Sequence, residues 1–176
     1  MLRIRITALI LTLNLIFQSS IFQLISVRNI TPNTAIIIIV SISLLRGSKE
    51  GAIAGFFAGF LQDVFFGFSS FYYAVLGALC GYITGKFNKG FYRENYILPI
   101  FLCSISTFIY ESIVFISGPL FNGSTNYIYF LFNLIIPETV YNAILTVVIY
   151  RILFAINSFL EQKEQHKRKL FSIDNK

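Results

Sequence analysis

The sequence predicts an all-α polytopic membrane protein, a bundle of six transmembrane helices with both termini in the cytoplasm. Three observations carry this. Hydrophobic residues make up 56% of the chain and charged residues only 12%, at a mean hydropathy of +0.72. Apolar runs recur along the 176 residues with no segment between them able to build a soluble core. The chain therefore holds about six spans of roughly 20 residues. Finally, the cations are distributed unevenly among the connecting segments, and their placement counts the crossings.

The basic start, MLRIR, and the apolar run after it resemble a signal peptide, but the run is too long and no small-x-small cleavage site follows. It is read as a retained first helix, about Ile6 to Ile25, interrupted by Asn14, Gln18 and Gln23. Arg28 and the turn Asn29–Asn33 lead to an isoleucine-rich second helix, about Asn33 to Leu45. At 1.5 Å per residue this helix reaches only about 20 Å, short of a hydrocarbon core of about 30 Å. It must thin the bilayer, borrow flanking residues or lie sheltered by its neighbours. Arg46–Glu50 reads as a tight turn.

The stretch from Gly51 to Gly85 is expected to organise the chain. Gly51, Gly55 and Gly59 recur every fourth residue, and the same step reaches Asp63 and Gly67. Gly77, Gly81 and Gly85 repeat the spacing, and Ala54, Ala58, Ala74 and Ala78 widen both small faces. In a soluble helix each Gly would cost roughly 1 kcal/mol relative to Ala. In lipid, small residues at this spacing let two backbones pack closely. The third and fourth helices, about Gly51 to Phe66 and about Phe71 to Gly85, are thus expected to bury their glycine faces on one another.

A basic loop, Lys86–Tyr96, precedes a fifth helix from about Ile97 to Ser117. The uncharged loop Gly118–Asn126 precedes a sixth from about Tyr127 to Tyr150, with a helical continuation over Arg151–Leu170. Residues 1–160 form one transmembrane domain, and 161–176 a basic cytoplasmic tail ending near Lys167-Arg168-Lys169, suited to anionic lipid. With six spans, every Lys and Arg except Arg28 falls on the cytoplasmic side. Without the short second helix, Lys86, Lys89 and Arg93 move to the wrong side, so the positive-inside rule favours six.

Three carboxylates fall within spans: Asp63, Glu111 and Glu138, the last directly after Pro137. Each costs a few kcal/mol at mid-membrane, on the order of 3 kcal/mol or more, and must face protein, water or a partner. The topology places all three in the outer half of the bilayer, near Gln18, Gln23, Asn133 and Asn142, with Arg28 the only cation on that side. They serve either a polar pocket or partner site, or interhelical hydrogen bonding; the sequence leaves both open. For Asp63 the candidate partners are Arg28, the amides of the first helix, or a group brought by another chain, and the last is favoured. Cys80 and Cys103 lie in apolar runs and read as packing, and the lone His166 lies in the basic tail. No Gly-x-Ser-x-Gly, phosphate loop or His-x-x-x-His occurs, so no enzyme, no cofactor, no metal and no nucleic-acid partner is expected.

Over Thr31–Gly85 the chain resembles the MreD family of rod shape-determining membrane proteins. The likeness rests on Pro32-Asn33 opening the second helix, on the stripe Gly51, Gly55, Gly59, Asp63, Gly67, and on Gly81-Tyr82 near the end of the fourth helix. Glu111 and Asn142 resemble an acid and an asparagine that occur in family members. One departure is Phe71, where the family often has a second glycine four residues after the one matching Gly67. The resemblance implies a non-enzymatic scaffold of the bacterial cell-elongation machinery in the inner membrane. It implies association with an MreC-like bitopic membrane protein and, indirectly, with an MreB-like cytoskeleton and peptidoglycan synthases. The family in turn resembles the six-helix substrate-binding subunits of energy-coupling-factor transporters, which gives the alternative of vitamin uptake. The docking stripe of those subunits is weak here, since Ala8 and Thr12 are followed by bulky residues.

Overall fold

A computed structural model describes residues 2–24, 30–66, 71–90, 97–117 and 126–174; Arg28, Gly67 and residues 118–125 lie outside them. Every regular element among the described residues is helical. The order is α1 (Leu2–Leu24), α2 (Thr34–Arg46), α3 (Ser48–Phe66), α4 (Tyr72–Gly85), a 3-10 turn (Lys86–Gly90) and α5 (Ile97–Ser117). The last rod comprises α6 (Tyr127–Phe130), a π turn (Leu131–Ile135) and α7 (Ile136–Asp174). Two helical stretches, Ile97–Ser117 and Tyr127–Gln165, are long and apolar enough to cross a membrane.

The centre of the bundle is α2, not the glycine-rich pair. Thr34 through Leu45 are all buried, and α2 touches α1, α3, α4, α5 and α7. A helix apolar all round has no solvent face, so enclosure is the stable arrangement. Ser41 and Ser43 do not spoil this, because each hydroxyl donates to the carbonyl four residues back, Ile37 O and Ile39 O, at 2.6 Å. One flank of α2 packs Ile38, Ile39 and Ile42 against Leu11, Ala54 and Tyr150. The other packs Ile36, Ile37 and Val40 against Leu102, Cys103 and Tyr110.

The expected turn over Arg46–Glu50 shrinks to one residue, because α3 starts at Ser48 rather than at Gly51. Gly47 reverses the chain at φ 93°, a conformation open to glycine but not to an L side chain. Its N–H donates to Ser43 O at 2.8 Å, and Gly51 N–H donates to Gly47 O at 3.0 Å.

The α3–α4 contact is the most extensive in the bundle, and it is antiparallel. A methyl group on Gly55 would meet the carbonyl of Gly77, one on Gly59 that of Tyr73, and one on Gly81 that of Gly51. A methyl group on Gly85 would strike the backbone of Ser48. Gly51, Gly55, Gly59, Gly77, Gly81 and Gly85 are all buried. The obstacles are backbone atoms, which cannot swing aside as a side chain can. The turn before α4 is unusual: Phe71 sits in the left-handed region at φ 51°, its ring stacked on Phe60 at 5.8 Å.

Contact between α4 and α5 is sparse, and the two helices leave a lateral apolar groove of about 410 Å³ lined by residues such as Leu76, Leu79, Ile83, Phe101 and Ile105. Large apolar side chains also face outward around the bundle, among them Leu9, Phe57, Phe65, Ile97 and Ile144. Water-soluble monomers rarely expose so extended an apolar surface, whereas lipid covers it at no cost.

Candidate functional site

Polar side chains inside the bundle gather at its two ends. At one end Arg46 joins three elements besides its own. Its Nε donates to Asn157 Oδ1 at 2.9 Å, its Nη1 donates to Thr7 Oγ1 at 2.8 Å, and it pairs with Glu50 at 3.6 Å. Arg3 pairs with Glu164 at 2.6 Å and with Glu50 at 3.8 Å, and Asn157 donates to Glu161 Oε1 at 3.0 Å. Asn88 of the 3-10 turn donates to Leu44 O at 2.5 Å, closing the same end of α2 from the α4 side. Sequence reasoning missed this network. Its only local signal is Arg46 and Glu50 four residues apart; the other partners come from distant parts of the chain.

At the opposite end lie the three acids. Asp63 is 5% exposed and turns back on its own neighbour. Its Oδ1 accepts from Tyr73 N–H at 3.1 Å and its Oδ2 from Ala74 N–H at 3.0 Å. The first turn of α4 has no side-chain cap of its own, so Asp63 supplies one from the preceding helix. A carboxylate is suited to this place, because the helix N-terminus carries partial positive charge. The internal partner is therefore the α4 backbone, which was not among the partners expected for Asp63.

Glu111 is 9% exposed on α5, and Glu138 is 6% exposed on α7. Asn33 donates to Glu111 Oε1 at 3.4 Å. Glu111 and Glu138 lie at the same level of the α5–α7 contact, with Glu138 within electrostatic reach of Glu111. One turn away on both helices, Asn142 donates to Thr107 Oγ1 at 3.0 Å. Tyr73 lies within reach of both Asp63 and Glu111, and its ring stacks on Tyr110 at 6.1 Å. Tyr110 donates to Gln62 Oε1 at 3.4 Å. The acids thus share one polar layer made by α2, α3, α4, α5 and α7.

Other amides expected in that layer behave differently. Gln18 takes a 3.5 Å bond from Asn14 within α1, and Asn133, exposed on the π turn, donates to Tyr129 O at 2.9 Å. Glu138 follows that π turn after Ile136 and Pro137. Such wide turns shift the side chains after them around the helix axis and recur at functional positions.

Residues 1–160 match the family described as rod shape-determining protein MreD. The chain belongs to the MreD family. No curated protein matches the chain, and neither does any solved structure. Membership of the MreD family makes this a bacterial membrane protein with a role in rod shape determination. MreD proteins are shape-determining structural membrane proteins, not known as enzymes. No group of three or more His, Cys, Asp or Glu side chains is placed to hold a metal ion among the described residues.

Proposed function

We propose that the chain is a non-enzymatic scaffold subunit of the cell-elongation complex, crossing the inner membrane six times with both termini cytoplasmic. It binds an MreC-like bitopic membrane protein and is linked through it to MreB-like filaments and peptidoglycan synthases. The observation that carries this reading is the family match across 1–160, which covers nearly all of the helical bundle. The two polar ends support the topology. The start of α1, the end of α2, the start of α3 and the later part of α7 meet in the Arg3–Arg46 network. The start of α2, the end of α3, the start of α4 and the end of α5 meet at the acids. Successive helices therefore alternate in direction, as six crossings require. The basic network lies on the cytoplasmic side, in keeping with the positive-inside rule. The short α2 fits a membrane because its neighbours shelter it. The family match gives no support to the vitamin-uptake alternative.

Co-expression of the tagged chain with an MreC-like protein tests the assignment. Retention of the partner in detergent is the expected outcome. Absence of the partner together with a co-purified vitamin would replace the scaffold with the transporter reading. For topology, an introduced Ser124→Cys should label from outside intact cells. Labelling only after permeabilisation would overturn six crossings.

A further inference from the structure

The Glu111–Glu138 pair presents a problem of charge. Two carboxyls buried together in a low-dielectric interior repel one another, and their ionised forms need a positive partner. The ion pairs among the described residues all involve Arg3 or Arg46, at the other end of the bundle. Asn33 gives Glu111 one long hydrogen bond, which compensates it only in part.

A second, independent observation surrounds the same pair. Among the described residues, three buried side-chain oxygens have no hydrogen-bond partner: Asn33 Oδ1, Thr34 Oγ1 and Asn142 Oδ1. Thr34 and Asn142 are completely buried. All three lie at the end of the bundle that holds the acids. Asn33 is the residue whose Nδ2 holds Glu111, and Thr34 follows it at the start of α2. Asn142 stands one turn beyond Glu138 on α7, and its Nδ2 is committed to Thr107, one turn before Glu111 on α5. Buried acceptors without donors are rare and costly. Unpartnered oxygens in the same layer as two buried carboxyls form a donor set suited to a cation.

We propose that Glu111 and Glu138, with the side-chain oxygens of Asn33, Thr34 and Asn142, form a binding site for a hard divalent cation, Ca²⁺ or Mg²⁺, between α2, α5 and α7. The donor set is all oxygen, with two carboxylates, two amide carbonyls and a hydroxyl, which is the chemistry these ions prefer. No histidine or thiolate is included, and soft or borderline metals are correspondingly disfavoured. Two positive charges neutralise two carboxylates, whereas a monovalent ion would leave one buried negative charge. The cation would tie α5 and α7 to the start of α2 at the end of the bundle remote from the Arg46 network. The inference is separate from the scaffold assignment and needs no partner chain.

The test uses the purified full chain in nanodiscs of zwitterionic lipid, stripped with EDTA. Its melting temperature is followed against Ca²⁺ and against Mg²⁺ at constant ionic strength, with K⁺ as control. The expected result is a saturable rise with one or both divalent ions, with a midpoint of about 0.1–1 mM, as in weak extracellular calcium sites. K⁺ should give no such rise. The Glu111→Gln/Glu138→Gln double variant should lose the rise, and Asn142→Ala should move its midpoint up at least several-fold. Should the double variant fail to fold, Glu138→Gln alone must weaken the midpoint at least tenfold. A flat wild-type titration, or a rise that survives in the glutamine variants, overturns the proposal. A double variant more stable than wild type, with no divalent response in either, also overturns it and makes the pair a proton-holding one.

Discussion

Replacing Asp63 with alanine removes the side-chain cap that the structure gives α4. Both carboxylate oxygens accept from α4, at 3.1 Å from Tyr73 N and 3.0 Å from Ala74 N. Ala74 is completely buried, so water cannot take over its N–H. A hydrogen bond to a charged group contributes about 1.5–3 kcal/mol, and loss of an N-cap costs about 0.5–2 kcal/mol. Tyr73 is partly exposed and both bonds depend on one side chain, so the two do not add in full. The expected loss for Asp63→Ala is about 2–4 kcal/mol. Asp63→Asn keeps one carbonyl acceptor but no charge, and should lose about half as much. Cys103, buried in the apolar interior, is a built-in reporter. In a Cys80→Ala background, a thiol-reactive dye reads unfolding in detergent as Cys103 becomes accessible. The melting order should be parent, then Asp63→Asn, then Asp63→Ala. Unchanged melting of Asp63→Ala would refute the cap. If that variant also lost an MreC-like partner, Asp63 would be a partner contact instead.

Three further outcomes follow from the geometry. Phe71→Gly should raise the melting temperature, because relief of the left-handed backbone yields about 1–2 kcal/mol, against about 0.5–1.5 kcal/mol lost from the Phe60 stack; a lower melting temperature would show the ring to be worth more than the strain. Gly55→Ala should destabilise the bundle by at least about 1–3 kcal/mol, since the new methyl meets the Gly77 carbonyl, whereas Ala52→Gly on the same helix should cost only about 1 kcal/mol; equal melting of the two variants would contradict the close approach. Arg46→Lys should behave nearly as badly as Arg46→Ala, because one ammonium cannot reproduce the forked contacts to Asn157, Thr7 and Glu50; limited proteolysis near the start of α1 reads the loosening, and full rescue by lysine would argue that charge alone matters.

Much of the fold was legible because apolar runs and glycine spacing are local properties. The α5 bounds match those expected, and the small-residue faces of α3 and α4 meet as a four-residue step suggests. The centrality of α2 was available in principle. Its isoleucines leave no polar face, so its shortness was a sign of enclosure rather than of a poor span. Pairings set by tertiary contact were not legible. Arg3 and Glu164 lie 161 positions apart, and Arg46 and Asn157 lie 111 apart. The partner of Asp63 was hidden for another reason: it is backbone, whereas the expected partners were Arg28, first-helix amides or a group of another chain. Burial of the three acids followed from their place in apolar runs. The meeting of Glu111 and Glu138 required knowing how α5 and α7 face one another.

The α3–α4 interface also limits how this protein can move. At Gly55, Gly59 and Gly81 the two helices approach so closely that there is no room for even one methyl group between them. Sliding one helix by a residue would drive an alanine or phenylalanine side chain into a carbonyl, so the pair has no neighbouring register to visit. It behaves mechanically as a single plank, fastened to α2 through Gly47 at one end and latched by Asp63 at the other. Compliance is left to the seam between α4 and α5 and to α1, where contact is sparse. A partner helix pressing on the bundle would therefore shift α1 or part the α4–α5 seam before it moved the plank itself.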